Sequence, residues 1–147
     1  MQNFVAKEVD FEPNIVVKDL DDKLILLADV RGSRVFRLED LTLIGLENYY
    51  AQAPFLMFVN REYLRIYQSG NSEPVKRLNA LEIFKFYDPG FNETKMYQFY
   101  LETLIESWLR DLDCNWYSPN PPAMKEMEEA GILEKFDRII IEELDWE

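Results

Sequence analysis

The sequence predicts an α/β domain: a mixed β-sheet flanked by helices, with a helical extension at its C-terminal end. Three observations carry that expectation. Residues 14–19 and 24–30 are two β-rich runs around a polar turn. Residues 37–53 place apolar side chains at helical spacing, and residues 55–60 return to an unbroken apolar run. Residues 94–112 then carry a broad helical stripe. A buried hairpin, a helix and more strands in succession point to helices layered on a sheet.

The first segment, up to about residue 12, mixes charged residues with Val5, Val9 and Phe11 at alternate positions. That spacing suits a short extended segment, with a short helix as the competing reading. Pro13 biases Glu12 away from helix and can open a strand. The runs NIVVKD and LILLADV follow, joined by the turn Leu20, Asp21, Asp22 and Lys23. They are most simply an antiparallel hairpin. The second run is apolar without alternation from Leu24 to Ala28, as a central strand covered on both faces requires.

From Arg37 or Leu38 to about Ala53, the residues Leu38, Leu41, Ile44, Gly45 and Tyr49 recur at steps of three and four. Glu39 and Asp40 would sit in the first turn, where acids suit the helix dipole. FLMFVN (55–60) reads as a buried strand, and YLRIYQ (63–68) as its hairpin partner. In the partner Leu64 and Ile66 face inward while Tyr63, Arg65 and Tyr67 line a half-exposed face. Residues 69–74 are a loop, and LEIFKFYD (81–88) has strand character, with a short helix at its start as the alternative.

The clearest helix spans 94–112, capped by Asn92 or Thr94, with Tyr97, Tyr100, Leu101, Leu104, Ile105, Trp108 and Leu112 on its apolar face. SPNPP (118–122) breaks it. A shorter helix follows over 122–136, interrupted or ended at Gly131, then a strand over 138–144 and an acidic tail expected to fray.

Composition removes several classes of chemistry. The chain has 147 residues, 48% of them hydrophobic, with only 5 glycines and 7 prolines, so residues 1–147 read as a single domain with a real core. It contains no histidine, which excludes Ser-His and Cys-His catalysis and His-ligated zinc together. A single cysteine, Cys114, excludes an intrachain disulfide and is expected to be a buried structural thiol. Any catalysis must rest on carboxylates, Lys, Tyr or a hard metal ion. The net charge of −12 opposes nucleic acid, because binding a phosphate backbone gains mainly from Lys and Arg displacing counterions. No apolar run is long enough to span a bilayer and none resembles a signal peptide, so the expected location is the cytoplasm.

One constellation carries chemistry. Pro13 and Asn14 open the first strand of the hairpin, and Asp29, Val30 and Arg31 end the second. This pattern resembles the PD-(D/E)XK nuclease superfamily, whose fold is restriction-endonuclease-like. The strand FLMFVN, the strand YLRIYQ, the helix ending in WLRDL and the later EAGILEKFD continue the resemblance to small bacterial members over most of the chain. The resemblance implies an Asp at the start of one strand and a carboxylate, any residue and a Lys at the end of the next. The carboxylates hold Mg²⁺, and the Lys orients water and stabilises charge at phosphorus. Adjacent strands bring the acids together, and period-two alternation turns the carboxylate and the Lys to one side.

Two positions depart from that pattern. Asn14 stands in place of Asp, and Arg31 in place of Lys. An amide oxygen can ligate Mg²⁺ but brings no negative charge. Arginine stays protonated and cannot act as a general base, though it can bind phosphate. In an active protein, Asp29 and Asn14 with Glu8 or Glu12 would bind Mg²⁺ or Mn²⁺, and Arg31 would steady a phosphate. In a degenerate one the fold survives, and Asp29 and Arg31 form a solvated or salt-bridged strand end. The substitutions and the net charge together point to impaired catalysis. The alternative function is a non-catalytic acidic module that binds a protein partner or a second copy of itself.

Three further groups have bland readings beside sharp ones. Asp19, Asp21 and Asp22 could suggest a metal cluster but read better as a solvated turn. Tyr49, Tyr50, Tyr63 and Tyr67 could stack bases but suit half-buried packing. Arg31, Arg34 and Arg37 could face phosphate or simply be scattered on a loop.

Overall fold

The computed structural model describes residues 7–32, 41–91 and 98–144. Its centre is the hairpin formed by β2 (Ile15–Lys18) and β3 (Leu24–Val30), paired antiparallel with Ile15 opposite Ala28 and an irregularity between Val17 and Lys18. The turn between them is held by Asp19, whose Oδ1 accepts from the backbone amides of Asp21 and Lys23, each at 2.9 Å. The acids of this turn are thus an Asx-type turn, with Asp22 paired to Lys18 at 3.2 Å.

Strand β1 (Lys7–Asp10) pairs in parallel with β4 (Leu41–Ile44) as a separate two-stranded sheet. Among the described residues the main sheet has six strands. β3 pairs in parallel with β5 (Phe55–Val59), which pairs antiparallel with β6 (Tyr63–Gln68), itself antiparallel to β7 (Lys76–Asn79). On the other side, β8 (Ile140–Glu143) pairs antiparallel with β2 and forms that edge, giving the order β7-β6-β5-β3-β2-β8. The helices are α1 (Ala80–Tyr87), α2 (Gln98–Cys114) and α3 (Met124–Glu129).

Both faces of the sheet are covered, which explains the unbroken apolar runs of β3 and β5. On one face Ile15, Leu26, Ala28, Met57, Val59, Leu64 and Ile66 pack with Phe84 of α1, Trp108 of α2 and Met127 of α3. On the other, Val16, Leu27, Leu56, Phe58 and Tyr67 pack under Val9, Phe11, Leu46 and Ala53. The α/β class, the hairpin, the β5–β6 pair, the long helix and the last strand stand where the sequence placed them.

The expected helix over 37–53 is corrected within its described part. Residues 41–44 are strand β4, a short 3₁₀ turn covers Leu46–Asn48, and Gly45 between them has φ +86°. That left-handed backbone cannot lie inside a right-handed helix, whatever the spacing of the leucines. Pairing with β1 settles the choice for strand. LEIFKFYD is likewise helix rather than strand. Asn79 caps α1, its side chain accepting from Leu81 N at 3.0 Å and Glu82 N at 3.4 Å. Asn79 followed three residues later by Glu82, with Ala80, Ile83, Phe84 and Tyr87 in helical register, was the readable signal for this start.

Smaller corrections follow. Tyr67 is buried in the second core rather than half-exposed. Tyr100 lies at the surface, its hydroxyl bonded to Asp88, instead of in the apolar stripe of α2. Cys114 is exposed at the end of α2, not buried. Tyr97, Asn92, Thr94, Arg34 and Arg37 and the acidic tail lie outside the described residues. Among the described residues no helix is long and apolar enough to cross a membrane.

Candidate functional site

Asn14, Asp29 and Arg31 meet at one end of the hairpin. They line a cleft of about 380 Å³ together with Glu12, Gln98, Glu102, Glu143 and Leu144. Strand alternation puts Asp29 on the face covered by the β1–β4 layer, beside Phe58 of β5, its register partner. Arg31, two residues on, returns to the same face and its guanidinium lies 5.6 Å from the Phe58 ring centre.

Asp29 is 1% exposed. Its carboxylate is fully engaged. Arg31 Nη2 donates to Oδ2 at 2.8 Å, and Nε lies 3.0 Å from Oδ1 and 3.2 Å from Oδ2. The backbone amide of Glu12 donates to Oδ2 at 2.8 Å. Arg31 Nη2 also donates to the carbonyl of Asp10, so the pair ties β3 to the end of β1. Burial pushes the Asp29 carboxyl above its ordinary pKa; Arg31 and the Glu12 amide oppose that shift without cancelling it, and the Glu12 charge adds to it.

Asn14 does something different. Its Oδ1 accepts from Val30 N at 3.0 Å, and its Nδ2 donates to Val30 O at 2.9 Å. The carboxamide imitates a peptide group and continues the ladder one residue beyond β2, satisfying the last donor and acceptor of β3 on that side. The opposite side is met by β5, where Arg31 N donates to Val59 O at 2.8 Å. An aspartate at position 14 could accept from Val30 N but could not donate to Val30 O.

The wall opposite the hairpin is the start of α2. Gln98 Oε1 accepts from Gly32 N at 2.7 Å, while its Nε2 donates to Val30 O and, at 3.0 Å, to Glu102 Oε2. Sequence reading missed Gln98, Glu102 and Glu143, which lie far from the hairpin in the chain and carry no motif. Glu8 is exposed on β1, opposite Thr42, and is not among the described residues lining the cleft; Glu12 is.

The resemblance implies Mg²⁺ held by Asp29, Asn14 and a further acid. Mg²⁺ requires several oxygen ligands at about 2.1 Å in octahedral geometry. Here a guanidinium lies against both oxygens of Asp29, and the amide oxygen of Asn14 is bonded to the backbone. A second cation at Asp29 would meet the charge of Arg31 at contact distance. The residues present do not fit the ion. Among the described residues no three His, Cys, Asp or Glu side chains form a group that could hold a metal.

The four tyrosines do not assemble into a stacking platform. Tyr49 packs edge-on to Phe11, with ring centres 5.3 Å apart, Tyr67 is buried, and Tyr50 bonds to the carbonyl of Asn71. No family model matches the chain, and no curated protein or solved structure matches it.

Proposed function

We propose that this chain is a catalytically degenerate relative of the PD-(D/E)XK nucleases, in which the catalytic hairpin has become a structural clamp. One observation carries the reading: the Arg31 guanidinium takes the position beside Asp29 where a metal ion would be needed. The resemblance is supported by the order of strands around the hairpin, antiparallel on one side and parallel to the next strand on the other. The loss of activity is supported by the Asn14 bridge, which an aspartate could not make, and by the charge of −12. Under this reading the chain acts by binding rather than by cleaving phosphodiesters.

The test compares the chain with its Asn14→Asp, Arg31→Lys double variant in Mg²⁺ and Mn²⁺. The unaltered chain is expected to show no metal-dependent rise in melting temperature and no cleavage of single- or double-stranded DNA or RNA. The double variant, if it folds, is expected to gain a Mn²⁺-dependent rise. A metal-dependent rise in the unaltered chain, or cleavage abolished by Asp29→Ala, would overturn the proposal.

A protein-binding role has its own supporting observation. Trp116 and Tyr117 are each 53% exposed and continue into the rings of Phe86 and Tyr87, at centre distances of 5.3, 5.9 and 5.4 Å. Exposed aromatic groups of this kind suit protein contact surfaces. Co-purification of a stoichiometric protein partner, lost on Trp116→Ala, is the expected result.

A further inference from the structure

A second cleft, of about 520 Å³, opens at the other end of the hairpin from Asn14 and Asp29. The turn between β2 and β3 contributes Asp19 and Lys23 to it, and the 3₁₀ turn Leu133–Lys135 brings Lys135 from far along the chain. Residues 50–54 form a further wall, and that wall is fixed by the protein itself. Ser69 N donates to Pro54 O at 2.9 Å, Ser69 Oγ to Tyr50 O at 3.2 Å, and the Tyr50 hydroxyl to the carbonyl of Asn71. A wall set in advance lowers the ordering cost of binding.

The lining combines two positive charges with apolar surface. Lys23 and Lys135 are both exposed, and among the described residues neither ammonium group forms an ion pair. In a chain with 28 acids and 16 bases, two unneutralised lysines on one cleft run against the overall charge. Asp19 is the only acid among the described lining residues, and its Oδ1 is tied to the amides of Asp21 and Lys23. Asp22 of the same turn is taken by Lys18. Ile25 and Ala53 are buried and Leu24 and Pro54 half-buried, which gives the cleft its apolar surface.

We propose that this cleft binds a small organic anion, a phosphate ester or carboxylate whose charge is met by Lys23 and Lys135 and whose apolar body lies against Leu24, Ala53 and Pro54. The volume is that of a small-molecule site and exceeds what a bare oxyanion fills. Lysine suits either oxyanion, as a compact charge with rotatable donors. The net charge of −12 opposes anions at long range, so the two ammonium groups act at contact and the apolar body supplies the rest of the attraction. The inference is independent of the nuclease resemblance, because the two clefts share no lining residue among those described.

Amide chemical shifts titrated with phenyl phosphate, benzoate, inorganic phosphate and phenol at constant ionic strength test the site. Phenyl phosphate or benzoate is expected to move the amides of Lys23, Ala51, Ala53 and Lys135 saturably, with a dissociation constant of about 1 mM. The tighter of the two identifies the anion as phosphate or carboxylate, and equal binding identifies the shared oxyanion. Inorganic phosphate and phenol each carry half of the chemistry and should bind at least about fivefold more weakly. Lys23→Gln and Lys135→Gln alter exposed side chains without ion pairs, so the rest of the amide spectrum should be unchanged. Each should weaken binding about threefold, and the double variant about tenfold. Absence of a saturable shift with either organic anion overturns the proposal. So does binding that is unaltered in the double variant, phenol or inorganic phosphate binding as tightly as phenyl phosphate, or shifts confined to the Asn14–Asp29 cleft.

Discussion

Arg31, the residue after β3, and Asp29 within it form an ion pair two residues apart, with Nη2 2.8 Å from Oδ2 and Nε 3.0 Å from Oδ1. The geometry follows from period two, which turns both side chains to the same face of β3. The carboxylate is buried while the guanidinium keeps some contact with solvent. Removing the arginine therefore strands a charge. Arg31→Met is expected to destabilise the fold by about 3 kcal/mol, near the lower end for breaking a buried pair from one side. Urea denaturation would measure it. The Asp29→Leu, Arg31→Met double variant should recover part of the loss, because no unpaired charge then remains. Equal or greater destabilisation in the double variant would show that the pair is not the source.

The Asn14 bridge sets a second expectation. Asn14→Asp keeps the size and the bond from Val30 N but turns a carboxylate oxygen toward Val30 O. We expect a loss of about 1–2 kcal/mol, because one hydrogen bond is lost and a carboxylate oxygen is set against Val30 O, which keeps only its bond from Gln98 Nε2. Asn14→Ala should cost a similar amount, since it leaves the amide and carbonyl of Val30 without this partner. A neutral Asn14→Asp in chemical denaturation would argue against the peptide-like role.

A third prediction concerns Asp111, which is fully buried in α2. Its Oδ2 accepts from the Tyr87 hydroxyl at 2.6 Å, and its Oδ1 from Tyr117 N at 2.9 Å and Ser118 N at 3.0 Å. One carboxylate thus joins α1, α2 and the loop leading to α3. Burial and the Asp111 contact raise the Tyr87 pKa, so the hydroxyl stays a donor across the physiological range. Tyr87→Phe removes one charge-assisted bond of the three and should cost about 1.5–2 kcal/mol. Asp111→Ala removes all three and should cost more than 3 kcal/mol, read from thermal or urea unfolding.

These residues also show what the sequence could express. The hairpin was legible because a polar turn separates two β-rich runs and because Asp29 and Arg31 end one of them. Their pairing was legible as a salt-bridged strand end. The cleft was not, since Gln98, Glu102 and Glu143 reach it only through the docking of α2 and β8 on the hairpin. Asp111 sits inside the apolar stripe of α2, where an acid normally marks the solvent side, so local pattern argued against its burial. The segment at 41–44 failed for a different reason. A short run containing Leu41, Leu43 and Ile44 fits strand and helix almost equally, and only its pairing with β1 decides.

Gly45 gives the last prediction, because it is the local reason that segment is not a helix. Its φ of +86° lets the chain leave β4 and enter the 3₁₀ turn at Leu46–Asn48. A Cβ there would meet only the Asn48 side chain, at 3.5 Å, an ordinary contact. The cost of Gly45→Ala is thus conformational strain alone, about 1 kcal/mol, roughly that of forcing an L-residue into the left-handed region. Gly32 makes the contrasting case. A Cβ at Gly32 would come within 3.3 Å of the backbone of Gln98 and of the Leu101 side chain. Gly32→Ala requires its neighbours at Gln98 and Leu101 to give by a few tenths of an ångström, so it should alter the cleft as well as stability. Far-ultraviolet circular dichroism of Gly45→Ala should remain that of the unaltered chain, with no gain of helix. An increase in helix content would mean that the spacing of Leu41, Ile44 and Tyr49 prevails once the glycine is gone, and that pairing with β1 does not hold the strand.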